Sequence, residues 1–533
     1  MSRVRSFGVI LAMTVAAGGC AWVGRVGVST SGAQPTSGVT SGTDVSPNGR
    51  YVVFTSEATN LVTGDLNGSA DVFWRDNQTG VTERVSIADN EAEGALGGYG
   101  GQVSGDGRYV AFSSDSANLV GLDTNLSTDV FLRDRVAGTT TRVSRGAGGT
   151  EGNGPSYLQS MTPNARFIVF TSDADNLIGT ADQNFSTDVY LRDRTLVKTE
   201  RVSVATDGTE GDLDSSGGSI SDDGRYVTFI SNASNFDATD SGIFADVFVR
   251  DRNVAAPVTT RITALPPADE ADADSSNALI SGDGKVVAFD TDASNLLSQP
   301  DDNVTTDVYA RVLATGVTER ISIGQGNTDS TDFSFVAGIS DDARFVLFQS
   351  GASNLVTSTL TAASNSFVRD RTSGSTVLGA TSQAQGEPSD PNVAYAGSFP
   401  NGISGDGRYV LFSSNATDVI QTGDANGNAP DVFLRSNPVP YLFLATPSTV
   451  ARGTTVTMSL FGSGLHGGPL LLMGDGVTVN SVAAVNESKL TVSITVAANA
   501  PVGPRTPLLV DTGTGAGAFT GGITFLPGLY SVT

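Results

Sequence analysis

SGDGRYVAF, residues 104–112, decides the fold. It returns as SPNGRYVVF from Ser46, TPNARFIVF from Thr162, SDDGRYVTF from Ser221, SGDGKVVAF from Ser281, SDDARFVLF from Ser340 and SGDGRYVLF from Ser404. Successive starts lie 58, 58, 59, 60, 59 and 64 residues apart. A near-fixed period over seven copies marks a repeat architecture. Each copy reads as four short strands: a small-residue segment such as GGQVS, the turn and strand DGRYVAFSS, then STDVFLRDR, then TTTRVS. Val, Phe, Tyr and Thr fill these segments, and Gly, Asn and Asp bound them. GRYVAF is apolar on both faces, as suits a strand held between two neighbouring sheets.

The chain ends distinguish a ring from an open solenoid. The seventh copy has DVFLR (431–435) but no fourth strand before SNPVP. RVGVS (25–29) lies 59 residues before RVSIA (84–88), a fourth strand. The N-terminal segment is therefore expected to supply the missing strand. The expected fold is all-β: a seven-bladed β-propeller over 25–437, closed by an N-terminal strand. Residues 440–528 read differently. PSTVARGTTVTMSLFGSGL and ESKLTVSITVAANAPVGPRTPLLV alternate in polarity and carry Gly and Pro turns, which predicts a small β-sandwich.

The pattern S-x-D-G-R-Y-V-x-F resembles the repeats of TolB-like, WD-type bacterial propellers over residues 25–437. The G-x-G-L turn and the A-P-V-G before a late strand look like Ig-like domains of the IPT/TIG kind. That second resemblance implies a spacer or adhesion module.

Residues 1–19 have the layout of a secretory signal: Arg3 and Arg5, the apolar run FGVILAMTVAA, then small residues. The run is too short to span a bilayer. Cys20 follows AAGG, and the segment resembles a bacterial lipobox. That implies lipidation at Cys20, a short tether over 20–24, and export to the cell envelope or surface as an anchored lipoprotein. Cys20 is the only cysteine, so an intrachain disulfide or a cysteine metal site is excluded.

A net charge of −25 disfavours nucleic acid, which requires clustered Lys and Arg. Cations and basic surfaces suit it better. The one histidine, His466, lies in GSGLHGG outside the repeats, so no Ser-His-Asp or Cys-His site can form within the propeller. The chain is read as not an enzyme.

In an up-and-down blade, the DGR and RDR turns fall at one end of the strands, and turn chemistry explains them. The loops at the other end are acidic. Four of them repeat oxygen side chains at positions 1, 3, 5 and 7: Asp65, Asn67, Ser69, Asp71; Asp123, Asn125, Ser127, Asp129; Asp182, Asn184, Ser186, Asp188; and Asp301, Asn303, Thr305, Asp307. Calcium takes six to eight hard oxygens, and alternate positions of a curved loop can converge on one ion. The same residues also build Asx-turns with no ion. No other cofactor has a ligand signal. The function expected from this reading is a non-catalytic cell-envelope binding or scaffold protein, monomeric, whose partner is an envelope or extracellular protein or a glycan. The alternatives are a calcium-dependent adhesion or glycan-binding protein, and a carboxylate-dependent polysaccharide lyase or hydrolase.

Overall fold

The computed structural model describes residues 23–532 apart from 181, 254, 265–269, 299–300, 383–386, 389–396, 421–422, 428, 438, 440, 464, 466–469, 487–488, 506, 511–522 and 525–529. Cys20, the signal-like segment and His466 lie outside the described residues. Seven four-stranded antiparallel sheets follow in chain order. The second is typical: Tyr99–Val103, Tyr109–Ser114, Asp129–Asp134 and Thr139–Arg142, from the innermost strand outward. Innermost strands touch their neighbours around a circle, and Thr40–Val45 meets Ser398–Ile403 to complete it. The described repeats therefore form a β-propeller.

The last blade takes its outer strand from the N-terminal side. Val23–Arg25 pairs with Asp431–Ser436, with Arg25 opposite Phe433 as Arg84 is opposite Phe73. The 59-residue offset holds, but the strand sits two residues before the expected start at Arg25. The regular ladder ends at the arginine because the next two N–H groups, those of Val26 (2.8 Å) and Gly27 (3.3 Å), both donate to Val432 O. Gly27 stands where the first blade has Ser86, whose Oγ accepts the Val72 N–H (3.1 Å).

Each position of the repeated motif has a physical reason. Ser104 Oγ donates to Asp106 Oδ1 (2.6 Å), which also accepts the Arg108 N–H (3.0 Å). Gly107 turns the chain at φ +71°, and a Cβ there would stand 2.7 Å from the ring of Tyr51 in the preceding blade. Glycine thus serves both the left-handed turn and the packing between blades. Arg108 forks onto Asp134 at 2.9 and 2.7 Å. Val110, Ala111 and Phe112 are fully buried, and Phe112 stacks on Phe131 at 5.8 Å.

The RDR turn divides its work among three side chains. Arg133 donates to Ala88 O of the previous blade and to Thr140 Oγ1. Asp134 receives the Arg108 fork. Arg135 pairs with Glu83 (2.6 Å) and lies over Trp74, both in the previous blade. These turns hold the ring together, in keeping with their structural reading.

Residues 441–532 form further strands. Tyr441–Thr446, Thr455–Ser463, Lys489–Val496 and Val477–Asn486 make one sheet, and two three-stranded sheets accompany it. Lys489–Val496 alternates between half-buried and buried residues, as a sheet covered on one face does. Leu442, Met458, Leu460, Leu490, Val492 and Ile494 build its core. No described helix is long and apolar enough to cross a membrane.

Candidate functional site at the channel mouth

The acidic loops connect the second and third strands of each blade. Their Asp residues at positions 1 and 7 do converge, joined by a third carboxylate from the loop that leaves the outer strand. Among the described residues the five groups are Asp65, Asp71 and Glu93; Asp123, Asp129 and Glu151; Asp182, Asp188 and Glu210; Asp240, Asp246 and Glu270; and Asp301, Asp307 and Asp329. Each group surrounds a buried arginine from the outer strand. Arg84 Nη1 lies 3.1 Å from Asp71, 2.8 Å from Glu93 and 3.6 Å from Asp65. Arg142 lies 3.2 Å from both Asp123 and Asp129 and 2.6 Å from Glu151. Arg201, Arg261 and Arg320 repeat the arrangement.

Positions 3 and 5 serve the backbone. Asn67 Oδ1 accepts the Ser69 N–H (2.8 Å), and its Nδ2 donates to Gly94 O (2.8 Å). Asn125 with Ser127, Asn184 with Ser186, and Asn303 with Thr305 do the same. These are Asx-turns that tie each loop to the segment after the outer strand. The Asp at position 7 also anchors that segment: Ser86 Oγ donates to Asp71 Oδ1 (2.5 Å). A calcium ion at the centre of the carboxylates would stand where the guanidinium stands, and the Asn oxygens are turned away from it.

Burial pushes Asp129 up to about 6 and Asp188 up to about 7. Glu151 is held near 2: burial opposes this, and its bonds from Thr124 and Arg142 outweigh burial. The sixth blade supplies an internal comparison. Asn365 replaces the position-7 Asp, and Leu378, opposite Phe367, replaces the arginine. The position-7 carboxylate and the arginine are absent together, while the third carboxylate remains as Glu387, which accepts from Asn365 Nδ2 (3.2 Å). In the seventh blade the pair returns as Asp431 and Arg25, at 3.0 Å.

The channel mouth at this end carries a different group, which sequence reading missed. One equivalent position on the innermost strands holds Tyr99, Tyr157, Phe335 and Phe399 in blades two, three, six and seven, each 37–41% exposed. Beside them, exposed carboxylates end the second strands. Thr128 Oγ1 donates to Asp115 (2.5 Å), Thr187 to Asp173 (2.6 Å) and Thr306 to Asp292 (2.5 Å). Tyr99 donates to Thr128 Oγ1 (3.2 Å), so ring, hydroxyl and carboxylate form one chain. The seven loops here, 57–70, 115–128, 173–187, 232–245, 292–306, 351–364 and 415–430, contain no Lys or Arg. That segregation was available in the sequence; the alignment of aromatics around one opening was not.

The opposite end of the channel is closed by the SxDG turns. Gly105 N–H donates to Pro163 O, Asp222 to Gly282 O, Asp341 to Gly405 O and Asp406 to Pro47 O, at 2.8–3.0 Å. Asp222 and Asp341 crowd Gly282: a Cβ there would lie 2.8 and 2.7 Å from their oxygens. Neither forms an ion pair with a described residue, whereas the neighbouring Asp283 and Asp406 have Lys285 and Arg408. Burial, reinforced by Asp222 and Asp406, pushes Asp341 up to about 7.

No protein-family profile matches this chain, and no curated protein does. Solved structures resemble it at the level of fold. A putative TolB from Agrobacterium tumefaciens is 16% identical, covering 53% of this chain and 80% of that one, with a TM-score of 0.34. The β-propeller domain of the Trilobed protease from Pyrococcus furiosus is 10% identical, covering 74% and 95%, at 0.42. Pyrococcus horikoshii acylaminoacyl peptidase is 11% identical, covering 80% and 58%, at 0.42. This finding corrects the expectation of a non-catalytic binding or scaffold protein that is not an enzyme. The propellers this chain resembles include domains of peptidases, so the fold does not separate a binding protein from an enzyme.

Proposed function

We propose that the protein recognises ligands bearing an alkylammonium group, such as a lysine-bearing peptide, at the channel mouth framed by Tyr99, Tyr157, Phe335 and Phe399. The observation that carries this reading is the placing of exposed aromatic rings at the mouth that also presents the exposed carboxylates Asp115, Asp173 and Asp292, with Tyr99 joined to Asp115 through Thr128, beside seven strand-two-to-three loops that lack any Lys or Arg. Aromatic faces and carboxylates both attract an ammonium, and no competing cation is built into these loops. Titration calorimetry with hexalysine and with its fully acetylated form tests it. Binding of the first alone is expected, weakened about tenfold or more in D115N/D173N. Equal binding of both peptides would sink the proposal.

We also read the guanidinium, in place of calcium, as the resident cation of the five carboxylate groups. Residues 440–528 are read as an immunoglobulin-like sandwich. Export and lipidation at Cys20 complete the proposal, and intact-mass measurement of the membrane fraction, with a C20S control, checks them.

A further inference from the structure

A second surface lies on the same face and is independent of the aromatic mouth. The fourth position of the acidic loops is a left-handed turn. In blades one and seven it is glycine, Gly68 at φ 67° and Gly427 at φ 71°, as backbone sterics favour. In blades two, three and five it is Leu126, Phe185 and Val304, at φ 54, 55 and 55°. A side chain with a Cβ is strained in this region, a β-branched valine most of all. Burial normally offsets such strain, and here there is none: these three side chains are 86, 83 and 86% exposed. In blade four Gly242 takes the turn at φ 67° and the next residue, Ile243, is 70% exposed. Leu122, also in blade two, is left-handed at φ 63° and exposed.

The free molecule thus holds exposed apolar tips on four consecutive blades, and in blades two, three and five the tip itself is strained with no burial to offset it. Strain without local compensation points to a contact made elsewhere. The tips stand at equivalent loop positions around the ring, and Asn, Ser and Thr separate them. A contiguous apolar patch, which a protein partner would want, is absent from this arc. Single side chains at one height suit insertion between lipid headgroups. The charge selects the lipid. With no Lys or Arg in these loops, anionic headgroups gain nothing, whereas exposed acids such as Asp302, beside Val304, attract the ammonium end of a zwitterionic headgroup. The N-terminal segment reaches the same face: Arg25 Nη1 donates to Gly423 O (3.3 Å) in the acidic loop of blade seven.

The geometry points to this arc, Leu122, Leu126, Phe185, Ile243 and Val304, as a docking surface for a zwitterionic lipid bilayer. The test is co-sedimentation of the full chain, carrying C20S so that no acyl chain adds its own partitioning, with phosphatidylcholine vesicles. Its variant, L126G/F185G/V304G, places at each site the residue that blades one and seven already use. The variant should therefore melt at or above the wild-type temperature while losing about tenfold or more of its vesicle partitioning. Vesicles with added phosphatidylglycerol should bind no better. Equal partitioning of variant and wild type, or none by either, overturns the inference. So does Phe185-dependent self-association without vesicle binding, which would assign the tips to a second copy. D115N/D173N should retain vesicle binding; its loss would assign the contact to the aromatic mouth, so this test and that of ammonium recognition fail separately.

Discussion

Asp341 shows how one carboxylate reports on its surroundings. Its ordinary value near 3.8 rises to about 7, first through burial and then through the negative charge of Asp222, Asp406, Asp342 and Asp283. The folded state therefore holds a proton that the unfolded chain releases near pH 4. Stability from this group is fully present below pH 4 and is lost as the pH climbs through 7. Asp341→Asn removes the titration and keeps the shape. The variant is expected to match wild type near pH 4 and to exceed it at pH 8, by on the order of 2 kcal/mol. Denaturant melts at the two pH values check this. A difference independent of pH would show that Asp341 is ionised throughout.

The closing strand is the element on which the ring depends. Val23–Arg25 makes three residues of pairing with Asp431–Ser436, so its hold rests heavily on Arg25. That side chain is 6% exposed, pairs with Asp431 and lies 5.5 Å from the centre of the Phe433 ring. Arg25→Met leaves Asp431 buried without its counter-ion, at a cost of about 3 kcal/mol. Adding Asp431→Asn relieves that charge, as Asn365 facing a leucine-bearing strand does in blade six. The double variant is expected to recover at least half of the loss in a denaturant melt. Additive losses would mean that the two residues do not act as a pair. The closure itself was legible in the sequence, because the 59-residue spacing places Arg25 in register with Arg84. The limits of the strand were not, because two successive N–H groups, those of Val26 and Gly27, converge on the one carbonyl of Val432 and end the regular ladder.

Across the whole molecule, repetition made the architecture readable and hid the chemistry. Seven copies of one turn and strand imply seven blades before any contact is known. The alternate oxygens from Asp65 to Asp71 look like metal ligands because spacing alone cannot say which way a side chain turns. Asn67 turns to Ser69 N–H and Gly94 O, and the cation comes from Arg84, in the separate outer-strand segment of the repeat, whose recurrence does not say what the arginine faces. The aromatic mouth was hidden for a similar reason: Tyr99, Tyr157, Phe335 and Phe399 share no motif and meet only when the ring closes.

The guanidinium reading leads to a prediction for the intact chain. An ion bound only by the folded form raises the melting temperature. With arginine already among the carboxylates, millimolar calcium and chelator should give the same midpoint for wild type. Arg84→Met with Arg142→Met leaves two groups of three carboxylates with no internal cation. The apo variant should melt well below wild type, at about 3 kcal/mol per site. Calcium should now restore part of that loss, because the oxygens of Asp65, Asp71 and Glu93 already lie within 4.8 Å of one another. A calcium-dependent rise in wild type that is unchanged in the double variant would place the ion away from these arginines. A rise in the variant alone would show that Arg84 and Arg142 carry, in their two blades, the charge that a metal would otherwise bring.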